Sequence, residues 1–349
     1  MLVKFKKCLM VSAAVMLFVT AGCQNTQPVQ SPTIAYWNPQ SKVADDLVQF
    51  VNDISDPKSS KFVPEADRIA VFDLDGTLVG ETYPSYFDWV MFTHRVLHDP
   101  SYKASADMKK FARELEAGFK AGKLPKDAEK IHAYYSFLSY KGMTPAELKD
   151  YAREFKHSKA EGFANLTRGD AYFRPMVELV KFLESKGVTV FIVSGTERNI
   201  VRVLAEDILD VPAYRIIGSD GRMEAENQKG KDGLDYVYQP NDKVIYTGEL
   251  ISKNVKMNKV AIMEREIGKV PVLAFGNSSG DLSMAQYITN NSDYEGRAYI
   301  LMGDDDQREH GSEQKVAKLK QYCSDHGFYT ISMKNDFETV YGEGVTLEK

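Results

Sequence analysis

Cysteine is scarce in this chain: 349 residues contain three, Cys8, Cys23 and Cys323. Cys8 and Cys23 stand in or beside a segment with the marks of a cleaved leader, so one thiol would remain and no disulfide framework is expected. A chain this long buries enough apolar surface to fold without one. Excess positive charge is missing as well, with 44 Lys plus Arg against 49 Asp plus Glu and a formal net charge of −5. Removing a leader that carries Lys4, Lys6 and Lys7 leaves the remainder more acidic still. A nucleic-acid partner needs a basic face, so the composition argues against one. The apolar run near the start, Cys8 to Val19, is shorter than the roughly 20 residues that cross a bilayer.

What is present begins with an export signal: a basic start, that apolar run, then Ala21 and Gly22 before Cys23. Thr20-Ala21-Gly22-Cys23 resembles the bacterial lipobox. The resemblance implies a signal peptide over 1–22, lipid on Cys23, and a membrane-anchored lipoprotein on the periplasmic or cell-surface side. The other reading is an ordinary cleaved signal beside an incidental cysteine. Residues 23–40 are polar, contain proline and lack periodicity, and read as a tether. The rest has ordinary globular composition, 43% hydrophobic and 27% charged, which sets disorder aside.

Three short apolar runs share one form: RIAVFD around Ile69 to Phe72, VTVFIVS from Val188 to Val193, and VPVLAFGN from Val270 to Phe275. Each is bounded by a polar residue or glycine, as expected of parallel strands buried on both faces. Helices intervene. One opens at Pro175 and stops at Gly187, a second carries Ile200, Val203, Leu204 and Ile208, and a third starts near Asn258 or Lys259 and stops at Gly268. The fold class is α/β, a doubly wound parallel sheet, whose ligands sit at the carboxyl ends of the strands. That rule gathers Asp73, Ser194 and Asn277 in one crevice.

Residues 83–168 read as a helical insertion with no sheet strand, its last helix opened by a capping box at Thr144-Pro145-Ala146-Glu147. It forms either a lid over the crevice or a layer that completes the core. The core then spans 41–82 and 169–349. Between Arg215 and Asn258, Ser219-Asp220-Gly221 and Lys231-Asp232-Gly233 read as turns of hairpin excursions. AYILM at Ala298 to Met302, a helix around Val316 to Cys323, and FYTISM at Phe328 to Met333 extend the sheet.

The chemistry centres on Asp73-Leu74-Asp75-Gly76-Thr77 at the end of the first strand. Two carboxylates two residues apart can divide the work. Asp73 attacks phosphorus, while Asp75 protonates the leaving alkoxide and later deprotonates water. Gly76 permits the sharp turn. A phosphoryl transition state also needs its oxygens neutralised. Ser194, Gly195 and Thr196 offer donors, Lys259 a cation at a helix start, and Asn277 and Asp281 oxygens that with Asp73 and the Asp75 carbonyl could hold Mg²⁺. Lys253 and Lys256 compete with Lys259 but precede the helix.

In VFDLDGTL at Val71 to Leu78, FIVSGT at Phe191 to Thr196, Lys259, and FGNSSGD at Phe275 to Asp281, the chain resembles the haloacid dehalogenase superfamily, in its phosphoserine-phosphatase-like branch. The likeness runs from about Trp37 to Tyr341 and takes in REH at Arg308 to His310 and MKNDF at Met333 to Phe337. It implies a Rossmann-like core, a helical cap inserted after the first motif, and Mg²⁺-dependent hydrolysis of a small phosphorylated metabolite. Many relatives have Asp where this chain has Asn277, so the direct metal ligand is either that amide oxygen or Asp281. Asp75 decides against dehalogenation, because a halide leaving group needs no proton.

Other features carry blander readings. His94 and His98 lie one helical turn apart without a third ligand and read as surface or cap packing. Asp304 to Asp306 read as a solvated loop. Glu81, Tyr83 and Tyr86 follow the catalytic loop closely enough either to touch substrate or to pack the cap. Two rivals to the phosphatase are a phosphotransferase or phosphomutase sharing the aspartyl phosphate, and a lipid-anchored binding protein without catalysis. No protein partner is indicated.

Overall fold

The structure, a computed structural model, describes residues 34–80 and 83–348. The leader, Cys23 and Glu81 lie outside the described residues. Chain order runs α1 (Lys42–Ser55), β1 (Ile69–Phe72), α2 (Phe87–Leu97), α3 (Ala106–Ala121), α4 (Ala128–Ser139), α5 (Pro145–Lys156) and β2 (Phe163–Ala164). It continues through α6 (Arg174–Ser185), β3 (Thr189–Glu197), α7 (Arg198–Ala205), β4 (Ile216–Ala225) and β5 (Val244–Ser252). The last part holds α8 (Met257–Glu266), β6 (Leu273–Gly276), α9 (Leu282–Thr289), β7 (Arg297–Met302), α10 (Glu313–His326), β8 (Tyr329–Ser332), α11 (Met333–Asp336) and β9 (Thr346–Leu347).

Seven strands form the main sheet in the order β5-β4-β3-β1-β6-β7-β8. All neighbours are parallel except the β4–β5 hairpin at one edge. The three apolar runs of the sequence are β3, β1 and β6 and lie side by side at the centre. Strand β1 is buried along its whole length and feeds both faces by simple alternation. Ala70 and Phe72 join the core under α1, α6 and α7, while Val71 joins the core under α8, α9 and α10. This is why the run carries no polar residue until Asp73.

Helix starts follow their local chemistry. Ser41 caps α1 through the Ala44 amide, and the Thr144–Glu147 capping box opens α5 in both directions. Helices α2, α3 and α4 pack around a separate apolar cluster that includes Trp89, Phe92, Phe111 and Leu115. Helix α5 instead sends Leu148, Ala152 and Phe155 into the main core. The insertion also contains β2, which pairs antiparallel with β9 and stands apart from the main sheet.

Three sequence readings are corrected. Ile34 and Trp37, expected in the tether, are instead buried, and the Trp37 indole donates to the Pro175 carbonyl at 2.8 Å. An aromatic placed before the first helix was the overlooked signal. Ser219-Asp220-Gly221 is no turn but lies within β4, where the register shifts. A Cβ at Gly221 would stand 2.5 Å from the Phe137 ring, so the glycine marks close approach of α4 rather than a reversal. Asp304 and Asp305 are buried, not solvated. Asp304 accepts from the Ser332 hydroxyl and the Lys334 amide, and Asp305 accepts from Arg308 and the Gln307 amide.

Candidate active site

Asp73 leaves β1 with its amide bonded to the Phe275 carbonyl at 2.9 Å, which locks the catalytic turn to the neighbouring strand. Gly76 takes φ 79°, and its amide bonds back to Val79, closing the turn. Both acids are buried, Asp73 6% and Asp75 8% exposed. Lys259, in the first turn of α8, donates to Asp73 Oδ1 at 2.6 Å and pairs with Asp281 Oδ1 at 2.7 Å. The stop at Gly268, with φ 65°, and the start at Met257 orient this helix so that its buried face carries the lysine inward.

One ammonium therefore serves two buried carboxylates. Burial pushes Asp73 up to about 7, and the Asp281 charge adds to the rise against the pull of Lys259. Burial by itself would lower Lys259, but Asp281 and Asp73 outweigh it and hold the ammonium up to about 12. The cluster retains an excess of negative charge beside Asp73.

Asp75 is arranged asymmetrically. Its Oδ2 accepts from the Thr196 hydroxyl at 2.9 Å and the Ser194 hydroxyl at 3.2 Å. Its Oδ1 is buried without a hydrogen-bond partner. Burial raises this carboxyl above the ordinary range against the two hydroxyls. Ser194 is thus turned on Asp75, while Gly195 and Thr196 line the cavity. The Asn254 side-chain amide holds the Ser194 carbonyl at 3.1 Å.

The loop after β6 is organised by Asp281. Its Oδ2 accepts from the amides of Asn277 and Ser278 at 3.0 and 3.1 Å and from the Ser278 hydroxyl at 3.2 Å. A Cβ on Gly276 would stand 2.5 Å from the Asp281 Cβ, so the loop closes only over glycine. Thr77 Oγ1 lies 3.4 Å from Asp73 Oδ2 and 3.5 Å from Asn277 Oδ1. One hydroxyl hydrogen faces two acceptors there, an oxygen cluster short of donors that suits a hard cation such as Mg²⁺. Among the described residues no three Asp, Glu, His or Cys side chains group as metal ligands, so a cation would depend on the Asn277 amide and backbone carbonyls beside Asp73.

Over these groups lies a cavity of about 500 Å³, roofed by the α2–α4 insertion. Tyr86, Asp88 and Trp89 reach it from the start of α2, and Lys253 and Lys256 from the loop before α8. Tyr83 stacks on His310 with ring centroids 3.7 Å apart. His94 meets the Tyr151 hydroxyl and His98 meets Glu116, both away from the cavity. Asp88 was missed in the sequence. A single carboxylate in the otherwise apolar start Phe87-Asp88-Trp89-Val90-Met91-Phe92 was the available signal.

The family model of haloacid dehalogenase-like hydrolases matches residues 70–286. A search of curated proteins returns no match. Among solved structures, cytosolic 5'-nucleotidase IIIB bound to cytidine is similar at 11% identity, with 84% of this chain and 87% of that chain covered and a TM-score of 0.50. A conserved functionally unknown protein from Anaerococcus prevotii DSM 20548 shares 14% identity over 82% of this chain and 92% of its own, with a TM-score of 0.49. A phosphoserine phosphohydrolase-like protein from Francisella tularensis shares 15% identity over 76% and 94%, at TM-score 0.41. At such identities the likeness concerns the fold.

Proposed function

The chain belongs to the haloacid dehalogenase-like hydrolases, and on that premise we propose that it is a phosphatase, hydrolysing a small phosphate monoester through an aspartyl phosphate on Asp73. The observation that carries this reading is the division of labour between the two acids. Asp73 stands against Lys259, and Asp75 offers one buried oxygen with no partner. An acid whose Oδ2 already accepts two hydroxyls carries its proton on Oδ1.

In the first step the Asp73 carboxylate forms an O–P bond as the P–O bond to the alcohol breaks, and the proton on Asp75 Oδ1 passes to the departing alkoxide. In the second a water attacks phosphorus, loses its proton to Asp75 Oδ1, and the Asp73–phosphoryl bond breaks to release phosphate. Lys259 and the Gly195 amide neutralise and orient the phosphoryl oxygens. Asp73, Asn277 and the Asp75 carbonyl would hold Mg²⁺, which supplies further neutralisation of charge on the phosphoryl group. Asp281 serves as the partner of Lys259 and the organiser of the loop.

The lipobox-like run at Cys23 supports a location outside the cytoplasm, anchored to a membrane by lipid. The deciding experiment is phosphate release from an aryl phosphate, with and without Mg²⁺, beside Asp73→Asn. Turnover that requires the metal and is lost in the variant supports the reading. A folded protein inert on aryl and natural phosphates alike would abandon it for a binding protein. Added acceptor alcohols separate hydrolysis from phosphoryl transfer.

A further inference from the structure

The cations around the catalytic cavity share one origin, whereas its carboxylates come from both sides. Its lysines, Lys253, Lys256 and Lys259, all come from the core side, from the loop after β5 and the helix it enters. Among the described lining residues the helical insertion contributes no lysine or arginine. It contributes Asp88 from α2, Asp127 and Glu129 from the start of α4, and the rings of Tyr86 and Trp89. The phosphoryl end of a substrate belongs with the lysines, so its far end meets carboxylates and rings.

Three further observations say what that roof accepts. Asp88 is 5% exposed, and the only ammonium within ion-pair distance among the described residues is that of Lys253 at 3.7 Å, longer than a hydrogen bond. Asp127 occupies the N-cap position of α4 but its side chain caps nothing, which leaves the carboxylate to the cavity rim. The Trp89 ring is stacked on His132, centroids 4.4 Å apart, which fixes it in place as a cavity wall. A buried carboxylate beside fixed aromatic surface is a setting for an organic cation, which gains a charge-assisted contact and a cation–π contact together.

We propose that the alcohol released from the substrate carries a positive charge: the site takes phosphate monoesters of amino alcohols, with the ammonium lodged against Asp88 and Trp89 and with Asp127 and Glu129 at the entrance. Lys253 marks where a cation stands beside Asp88. Once the substrate's own ammonium takes that place, Lys253 is released toward the phosphate. This inference rests on the phosphatase reading of the same site and extends it to the leaving group.

The test uses the full chain with Mg²⁺ and three esters of similar length that differ in the charge of the far end: 2-aminoethyl, 2-hydroxyethyl and carboxymethyl phosphate. The amino ester should exceed the hydroxy ester in kcat/KM by about tenfold or more, chiefly through KM, the factor that one charge-assisted contact supports. Asp88→Asn should bring that ratio toward one, and Asp127→Asn, at an exposed position, should lower it by a smaller factor. A kcat/KM for the amino ester no higher than for the other two overturns the inference and leaves the phosphatase reading standing. Calorimetry on Asp73→Asn reads the same preference without turnover, and equal affinity for amino and hydroxy esters also overturns it. If no ester is turned over by folded protein, the hydrolase reading fails and calorimetry alone decides the inference.

Discussion

Lys259 places its ammonium 2.6 Å from Asp73, a residue 186 positions earlier in the chain, and 2.7 Å from Asp281. The pair of contacts makes one cation the common counter-charge of Asp73 and of the loop that faces it. Stability and catalysis therefore draw on the same three side chains, and removing Asp73 sets the one against the other.

Lys259→Met leaves two buried carboxylates uncompensated and should cost about 3–5 kcal/mol of stability together with activity. Asp73→Asn removes one of the competing charges, so its melting temperature should match or exceed that of the parent while phosphate release falls at least about a thousandfold. Denaturant melts of both variants check the contrast. A clear loss of stability in Asp73→Asn would contradict the shared-charge account.

Asp75→Asn should slow the hydrolysis of alkyl phosphates by about 10²–10⁴-fold, the range of general acid catalysis. The first step on an aryl phosphate should suffer less, since a phenolate departs without a proton. Burst kinetics on the two ester types compare the steps, and an equal loss on both would remove Asp75 from the role of acid.

Asn277→Asp should lower the Mg²⁺ concentration for half-maximal activity by about tenfold, as a second anionic oxygen joins the donor-poor cluster at Thr77. The Mg²⁺-dependent rise in melting temperature should move the same way, by mass action on the folded state. If both midpoints stay put, Asn277 lies outside the metal site.

Glu309 gives a pH signature away from the cavity. Burial pushes its carboxyl from 4.5 up to about 7, against the Tyr341 hydroxyl and the His310 amide that bond to it. Below pH 4.5 the folded and unfolded chains both keep this proton, and between 4.5 and 7 only the unfolded chain loses it. Stability from this group is present in acid and lost as pH rises, by on the order of 3 kcal/mol in all. Glu309→Gln should flatten that fall in melts from pH 4.5 to 7.5, and parallel curves for variant and parent would refute it.

Much of the centre was legible because burial on both faces leaves a plain trace. Strands β1 and β6 and the first half of β3 read as apolar runs; the site residues follow β1 and β6 at once, and Ser194, Gly195 and Thr196 lie in the second half of β3. Lys259 could be placed because a helix start and a glycine stop bracket it. What was illegible depended on partners far along the chain. Asp304 looks solvent-facing until Ser332 and Lys334 supply its donors. Gly221 looks like a turn until the Phe137 ring arrives beside it. Asp88 looks like a surface acid on a helix until the cavity closes around it. Local pattern reports which face is buried, whereas the identity of what covers it is a property of the assembled fold.

The segment from Phe337 to Leu347 has a consequence in time. Phe337 bridges to Trp37, the Tyr341 hydroxyl donates to the carbonyl of Gly80 at the exit of the catalytic turn, and β9 closes on β2. Tyr341 is made 261 residues after Gly80. At the roughly 5–20 residues per second of translation, the catalytic turn waits between about a quarter of a minute and a minute for its cover. A chain stopped between Asp281 and Tyr341 thus holds every motif and still lacks the piece that covers the exit of the catalytic turn.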